Sequence, residues 1–87
     1  MKLKLFTVYD SKAEAYNQPF YMPSTGAALR AFEDSINDPQ NSISQHPGDY
    51  TLFELGTFDP SNASIQLLDT RKNLGVAIEF VRDSNAA

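Results

Sequence analysis

Tyr50-Thr51-Leu52-Phe53-Glu54-Leu55-Gly56-Thr57-Phe58-Asp59-Pro60-Ser61-Asn62-Ala63-Ser64-Ile65-Gln66-Leu67-Leu68 carries the pattern on which the fold turns. Tyr50 to Phe58 and Ala63 to Leu68 are rich in aromatic, branched and aliphatic residues, and Asp59-Pro60-Ser61-Asn62 between them is turn chemistry. Two such runs around a short polar turn predict an antiparallel hairpin. Asp69 to Asn73 reads as a second turn. Leu74 to Val81 then reads as a closing strand, with Val76, Ile78 and Phe80 on one face.

Upstream, Lys2 to Tyr9 alternates as a strand, with Leu3, Leu5, Thr7 and Tyr9 on one face and Lys2, Lys4, Phe6 and Val8 on the other. Asp10 to Asn17 is polar with scattered alanine, suited to a loop or a short helical turn. Gln18 to Met22, bracketed by Pro19 and Pro23, predicts a brief edge strand. After Pro23, Ser24 or Thr25 can cap a helix whose stripe is Ala28, Leu29, Phe32 and Ile36, and Asp38-Pro39 ends it. Pro39 to Asp49 holds one large apolar residue, Ile43, and reads as a long, mobile loop. Residues 83–87 read as a flexible tail after a single domain spanning 1–82. The fold class expected is α+β: a mostly antiparallel sheet of about five strands with one helix packed on one face. Leu5 with Phe6, Leu52 with Phe53 and Leu67 with Leu68 put apolar residues on both faces of their strands, so the second face also needs cover, which a homodimer supplies.

Composition bounds the function. The 41% apolar and 21% charged residues are those of a globular domain. No cysteine is present, which excludes disulfides and thiolate chemistry. No apolar run reaches the ~20 residues that span a bilayer, and Asp10 and Lys12 interrupt the N-terminal run before a signal sequence is complete. With 11 acids against seven bases the net charge is −4, so a polyanion is repelled on average. Nucleic-acid binding then requires a local basic face, aromatic stacking or a protein intermediary.

The collinear string Met1-Lys2-Leu3-Lys4-Leu5-Phe6-Thr7-Val8-Tyr9-Asp10-Ser11-Lys12-Ala13-Glu14-Ala15-Tyr16, the step Gln18-Pro19-Phe20 and the helical Arg30-Ala31-Phe32 resemble the small non-structural protein of gokushoviruses, single-stranded-DNA phages of the Microviridae. The resemblance continues through His46-Pro47-Gly48-Asp49-Tyr50-Thr51-Leu52-Phe53-Glu54-Leu55-Gly56-Thr57-Phe58-Asp59 and Leu74-Gly75-Val76-Ala77-Ile78-Glu79-Phe80. It implies a phage protein made in the cytoplasm of the host bacterium and absent from the mature virion. It further implies a part in viral DNA metabolism, through binding single-stranded DNA or switching replication toward packaging.

Catalytic signatures are absent from the pattern. His46, the one histidine, stands in a polar loop near Ser42 and Ser44, but loop neighbours seldom hold the geometry of a triad, and it reads as solvated. Asp59 and Asp69 read as turn residues, and no carboxylate spacing matches a calcium loop, so neither metal nor cofactor is expected. Ser24, Thr25 and Gly26 at the helix start are the candidate anion site, with simple capping the competing reading. The candidate nucleic-acid-binding residues are Lys2, Lys4, Tyr9, Lys12, Tyr16, Tyr21, Arg71 and Lys72: bases stack on exposed rings beside cations. Two non-enzymatic readings follow. One is a viral accessory protein that binds single-stranded DNA during replication or packaging. The other is a self-associating module that binds a phage or host replication or capsid-assembly protein.

Overall fold

Five antiparallel strands form one sheet in the computed structural model, which describes residues 2–82; the tail expected at 83–87 lies outside the described residues. β1 (Leu3–Asp10) pairs on one side with β4 (Tyr50–Asp59). On its other side two short strands lie end to end, β2 (Ala15–Tyr16) opposite Tyr9 and Asp10 and β3 (Phe20–Met22) opposite Lys4 to Phe6. β5 (Ser64–Val76) pairs with β4 and forms the far edge. The α+β architecture with one main helix on the sheet is the one the sequence predicts.

Strand parity decides what lies under that helix. Phe6 opposes Phe20 and Glu54, and Val8 opposes Leu52, so these side chains share the face covered by α1 (Thr25–Ile36). Ala28, Phe32 and Ile36 come down from the helix at four-residue spacing and bury against Phe6, Val8 and Leu52. Removing the fully buried Phe6 and Leu52 from water stabilises the fold by about 1.5–3 kcal/mol each. Ser24, in extended conformation, caps α1 through its Oγ, which accepts from the Ala27 N–H at 3.1 Å.

Asp10 to Asn17, read as a loop or a short helical turn, instead holds strand β2, and two further expectations require correction. Pro39 to Asp49 is not an open loop: α2 (Ser42–Gln45) forms there, its first turn closed by Asn41 Oδ1 accepting from the Ile43 N–H at 3.0 Å, and a 3-10 turn follows at Pro47–Asp49. Ile43 packs against the core and supplies the anchor that the polar composition conceals.

The second correction concerns the end of the chain. Leu67 pairs with Gly56 and Lys72 with Glu54, so Leu68, Asp69, Thr70 and Arg71 together stand opposite Leu55. The turn chemistry is real, but it produces a four-residue bulge. The chain then resumes pairing with the same strand, because the outer edge of β4 from Thr51 to Glu54 still presents backbone groups that need partners. There is accordingly no separate closing strand. At Gly75, φ is +135° and an added Cβ would lie 2.8 Å from the Phe80 ring, so glycine is required on both counts. The chain leaves the sheet here into a 3-10 turn, Ala77–Phe80, and crosses to the helix. Phe80 meets Phe32 edge-on at 5.9 Å, and Asn37 Nδ2 donates to the Phe80 carbonyl at 3.2 Å. Ile78, expected to share a strand face with Val76 and Phe80, lies in this turn and is exposed. Among the described residues no helix is long and apolar enough to cross a membrane.

Candidate functional site

The sheet face turned away from α1 carries rings. Register places Leu3 beside Phe58, Leu5 beside Tyr21, Thr7 beside Phe53 and Tyr9 beside Tyr16. All of these positions have the parity opposite to that of Phe6 and Val8. Tyr9 and Tyr16 meet at 4.7 Å between centroids, Tyr16 and Phe53 at 5.8 Å with planes at 65°, and Tyr21 and Phe58 at 5.2 Å. Such offset and edge contacts hold the rings in place while leaving outer surface free.

Arg71 joins them from the bulge in β5. Its guanidinium carbon lies 5.3 Å from the Tyr16 centroid and 5.6 Å from that of Phe53, both within cation–π range. It forms no ion pair with a carboxylate among the described residues. The four residues of the bulge, three more than regular pairing opposite Leu55 would place there, carry the side chain over the sheet. Beside it, Thr7, Tyr16, Asn17, Pro19, Leu55 and Arg71 line an apolar cleft of about 240 Å³. That is below the ~300–1,000 Å³ of typical small-molecule pockets and suits a single planar ring. Its floor is fixed by Thr7 Oγ1, which donates to the Asn17 carbonyl at 2.7 Å.

Of the residues singled out in the sequence, Tyr9, Tyr16, Tyr21 and Arg71 are brought to this face; the basic residues around them are not. Lys4 points to the helix side, where its Nζ donates to Thr25 Oγ1 at 2.9 Å and lies 3.6 Å from Glu54 Oε2. Thr25 Oγ1 donates in turn to Glu54 Oε1 at 3.1 Å, so the nearly buried carboxylate is satisfied from two directions. Lys2 shares the parity of Lys4 and lines a small polar depression with Asp59 and Asn62. Lys72 opposes Glu54, again on the helix side. Lys12 lies in the turn after β1, its backbone N–H held by Asp10 Oδ1 at 3.0 Å.

At the helix start, Ser24 is a cap and the Thr25 hydroxyl is committed to Lys4 and Glu54. A lysine and a glutamate side by side cancel the local charge that an anion at Ser24, Thr25 and Gly26 would need. His46 is exposed at the end of α2. Asp59 is the turn residue expected: the Ser61 hydroxyl donates to its Oδ1 at 2.6 Å and the Ser61 N–H at 3.0 Å, which holds the carboxyl below its ordinary value. Among the described residues no group of three or more potential ligands could hold a metal ion.

Phe53 is the member of the cluster that sequence alone did not single out as a site residue. Its signal is parity: it adjoins the core residue Leu52 and so must face the other way.

A family model described as Phage ORF5 protein matches residues 3–80 of the chain, which takes in every strand and the main helix. No curated protein matches. No solved structure matches.

Proposed function

The chain belongs to the Phage ORF5 protein family, and from that premise we propose that it is a non-enzymatic accessory protein of the gokushovirus type, binding single-stranded DNA during genome replication or packaging. The observation that carries this reading is the placement of Arg71 over Tyr16 and Phe53 on the sheet face opposite the one that α1 covers. Proteins that hold single strands without sequence preference stack bases on such rings and set a cation beside the backbone. Tyr16, 44% exposed, offers a ring to solvent beside Arg71, and the adjoining cleft admits one base at its edge. Arg71 then meets a phosphate or stacks on the base plane. The net charge of −4 means that stacking, not charge, supplies most of the affinity. On this reading the protein works in the host cytoplasm and is left out of the mature virion.

The experiment is a fluorescence-anisotropy titration of labelled oligo-dT with wild type and Tyr16→Ala. Loss of one stacked base costs about 1–3 kcal/mol, a weakening of roughly five- to 150-fold. Unchanged affinity in a folded Tyr16→Ala protein counts against the platform.

One observation favours the second reading, a protein-interaction module without DNA contact. Ile65 and Leu67 on β5 are 52% and 69% exposed, an apolar edge suited to a protein partner. Absence of any oligo-dT binding at low salt selects that reading.

A further inference from the structure

The outer edge of β5 differs from the opposite edge of the sheet. There, β2 has two residues and β3 has three, and Pro19 and Pro23 flank β3; short strands and prolines are the usual guards against edge-to-edge pairing. On the β5 side, Ser64-Ile65-Gln66-Leu67 is regular, paired residue for residue with Gly56 to Asp59, and holds neither proline nor charge. Among the described residues no strand pairs with its outer side. The guards begin immediately afterwards, with the bulge at Leu68 to Arg71 and the charges of Asp69, Arg71 and Lys72. One four-residue window is therefore open on an otherwise protected sheet.

We propose that this window pairs with the same window of a second copy, antiparallel about a two-fold axis at Gln66. The sequence of the window selects that occupant. A two-fold perpendicular to the sheet requires some residue to face its own copy. Centring on Gln66 places Ile65 against the partner's Leu67 and Leu67 against the partner's Ile65, two apolar pairs on one face. Centring on Leu67 sets Ile65 against the partner's Asp69 and runs into the bulge. Centring on Ile65 leaves Leu67 against the partner's Ala63. The Gln66 register is thus the self-complementary one, and charge neutrality across the window leaves no like-charge penalty.

The pairing has a structural consequence. Ile65 opposes Phe58, and Leu67 opposes Gly56, which in turn opposes Leu5. Gly56 is required there, since an added Cβ would meet the Gln66 carbonyl oxygen. The apolar stripe of each open face therefore continues across the two-fold into that of the other copy. A sheet twice as wide presents two Tyr16–Arg71 clusters on one side. The proposal does not depend on the DNA reading: it stands on the edge and its register alone. A four-residue edge is small, and the association belongs in roughly the micromolar range of weak interfaces.

The cysteine-free chain permits a clean test. Gln66→Cys places one thiol per copy at the axis, where opposed residues of an antiparallel pair have Cα atoms ~4.5–5.5 Å apart, within disulfide reach. Under mild oxidation at tens of micromolar, Gln66→Cys should form a covalent dimer on the order of a hundredfold faster than Lys72→Cys, an exposed control outside the window, since a held pair meets at millimolar effective concentration. Wild type should sediment toward twice 9.7 kDa as concentration rises toward ~200 µM. Leu67→Lys, at a largely exposed position, should stay monomeric with an unchanged circular dichroism spectrum. Equal cross-linking of the two cysteine variants, or a wild type monomeric throughout, overturns the proposal. So does a monomer in which oligo-dT protects Leu67 from solvent labelling, which assigns the edge to nucleic acid.

Discussion

β1 buries residues on both of its faces, Phe6 and Val8 toward α1 and Leu5 and Thr7 away from it, yet the two faces achieve this differently. On the helix side a second layer does the covering, with Ala28, Phe32 and Ile36 closing over the strands. On the open side the cover is one ring deep, supplied by Tyr16, Tyr21 and the arginine from the bulge. A single layer of side chains shields the backbone beneath it but cannot shield its own outer surface. The same alternation that builds a core on one side thus leaves a row of rings for a partner on the other.

The comparison breaks most visibly at the core. Phe32→Ala should cost about 3–5 kcal/mol, which in a domain with total stability of ~5 kcal/mol leaves little folded protein. Thermal denaturation followed by circular dichroism checks this, and a cooperative transition near the wild-type temperature would mean that the helix face carries less than its burial implies. Tyr16→Ala, on the other face, should leave the melting curve close to wild type while weakening oligo-dT binding as above. Smaller again is the effect at the polar margin of the helix side. Thr25→Val removes the hydroxyl between Lys4 and Glu54 and should cost about 1 kcal/mol in urea denaturation, with no effect on DNA.

Much of this division was legible in advance. Ser24 after Pro23, and Asp38-Pro39 after the stripe, bound the helix closely, since caps and proline act locally. The hairpin and the short strand between Pro19 and Pro23 were legible for the same reason. The path after Leu68 was not: turn composition at Asp69 to Asn73 is compatible both with a reversal and with a bulge, and the choice depends on which backbone groups of β4 remain unpaired across the sheet. In the candidate site, parity already separated Lys2 and Lys4 from Tyr9, because period-two alternation sends them to opposite faces. Grouping them by charge and aromatic type alone joined Lys2 and Lys4 to rings that stand on the opposite face. Arg71 over Tyr16 depends on a bulge whose length no local pattern reveals.

The salt dependence of oligo-dT binding tests the open face as a stacking platform most directly. With Arg71 the one cation seated among the rings in the described residues, log Kd should change with log salt by a slope near 0.7, about one phosphate neutralised, and Arg71→Ala should flatten it. A slope of several units that survives Arg71→Ala but falls with Lys2→Ala or Lys12→Ala would contradict the account and place the contact on the lysines instead.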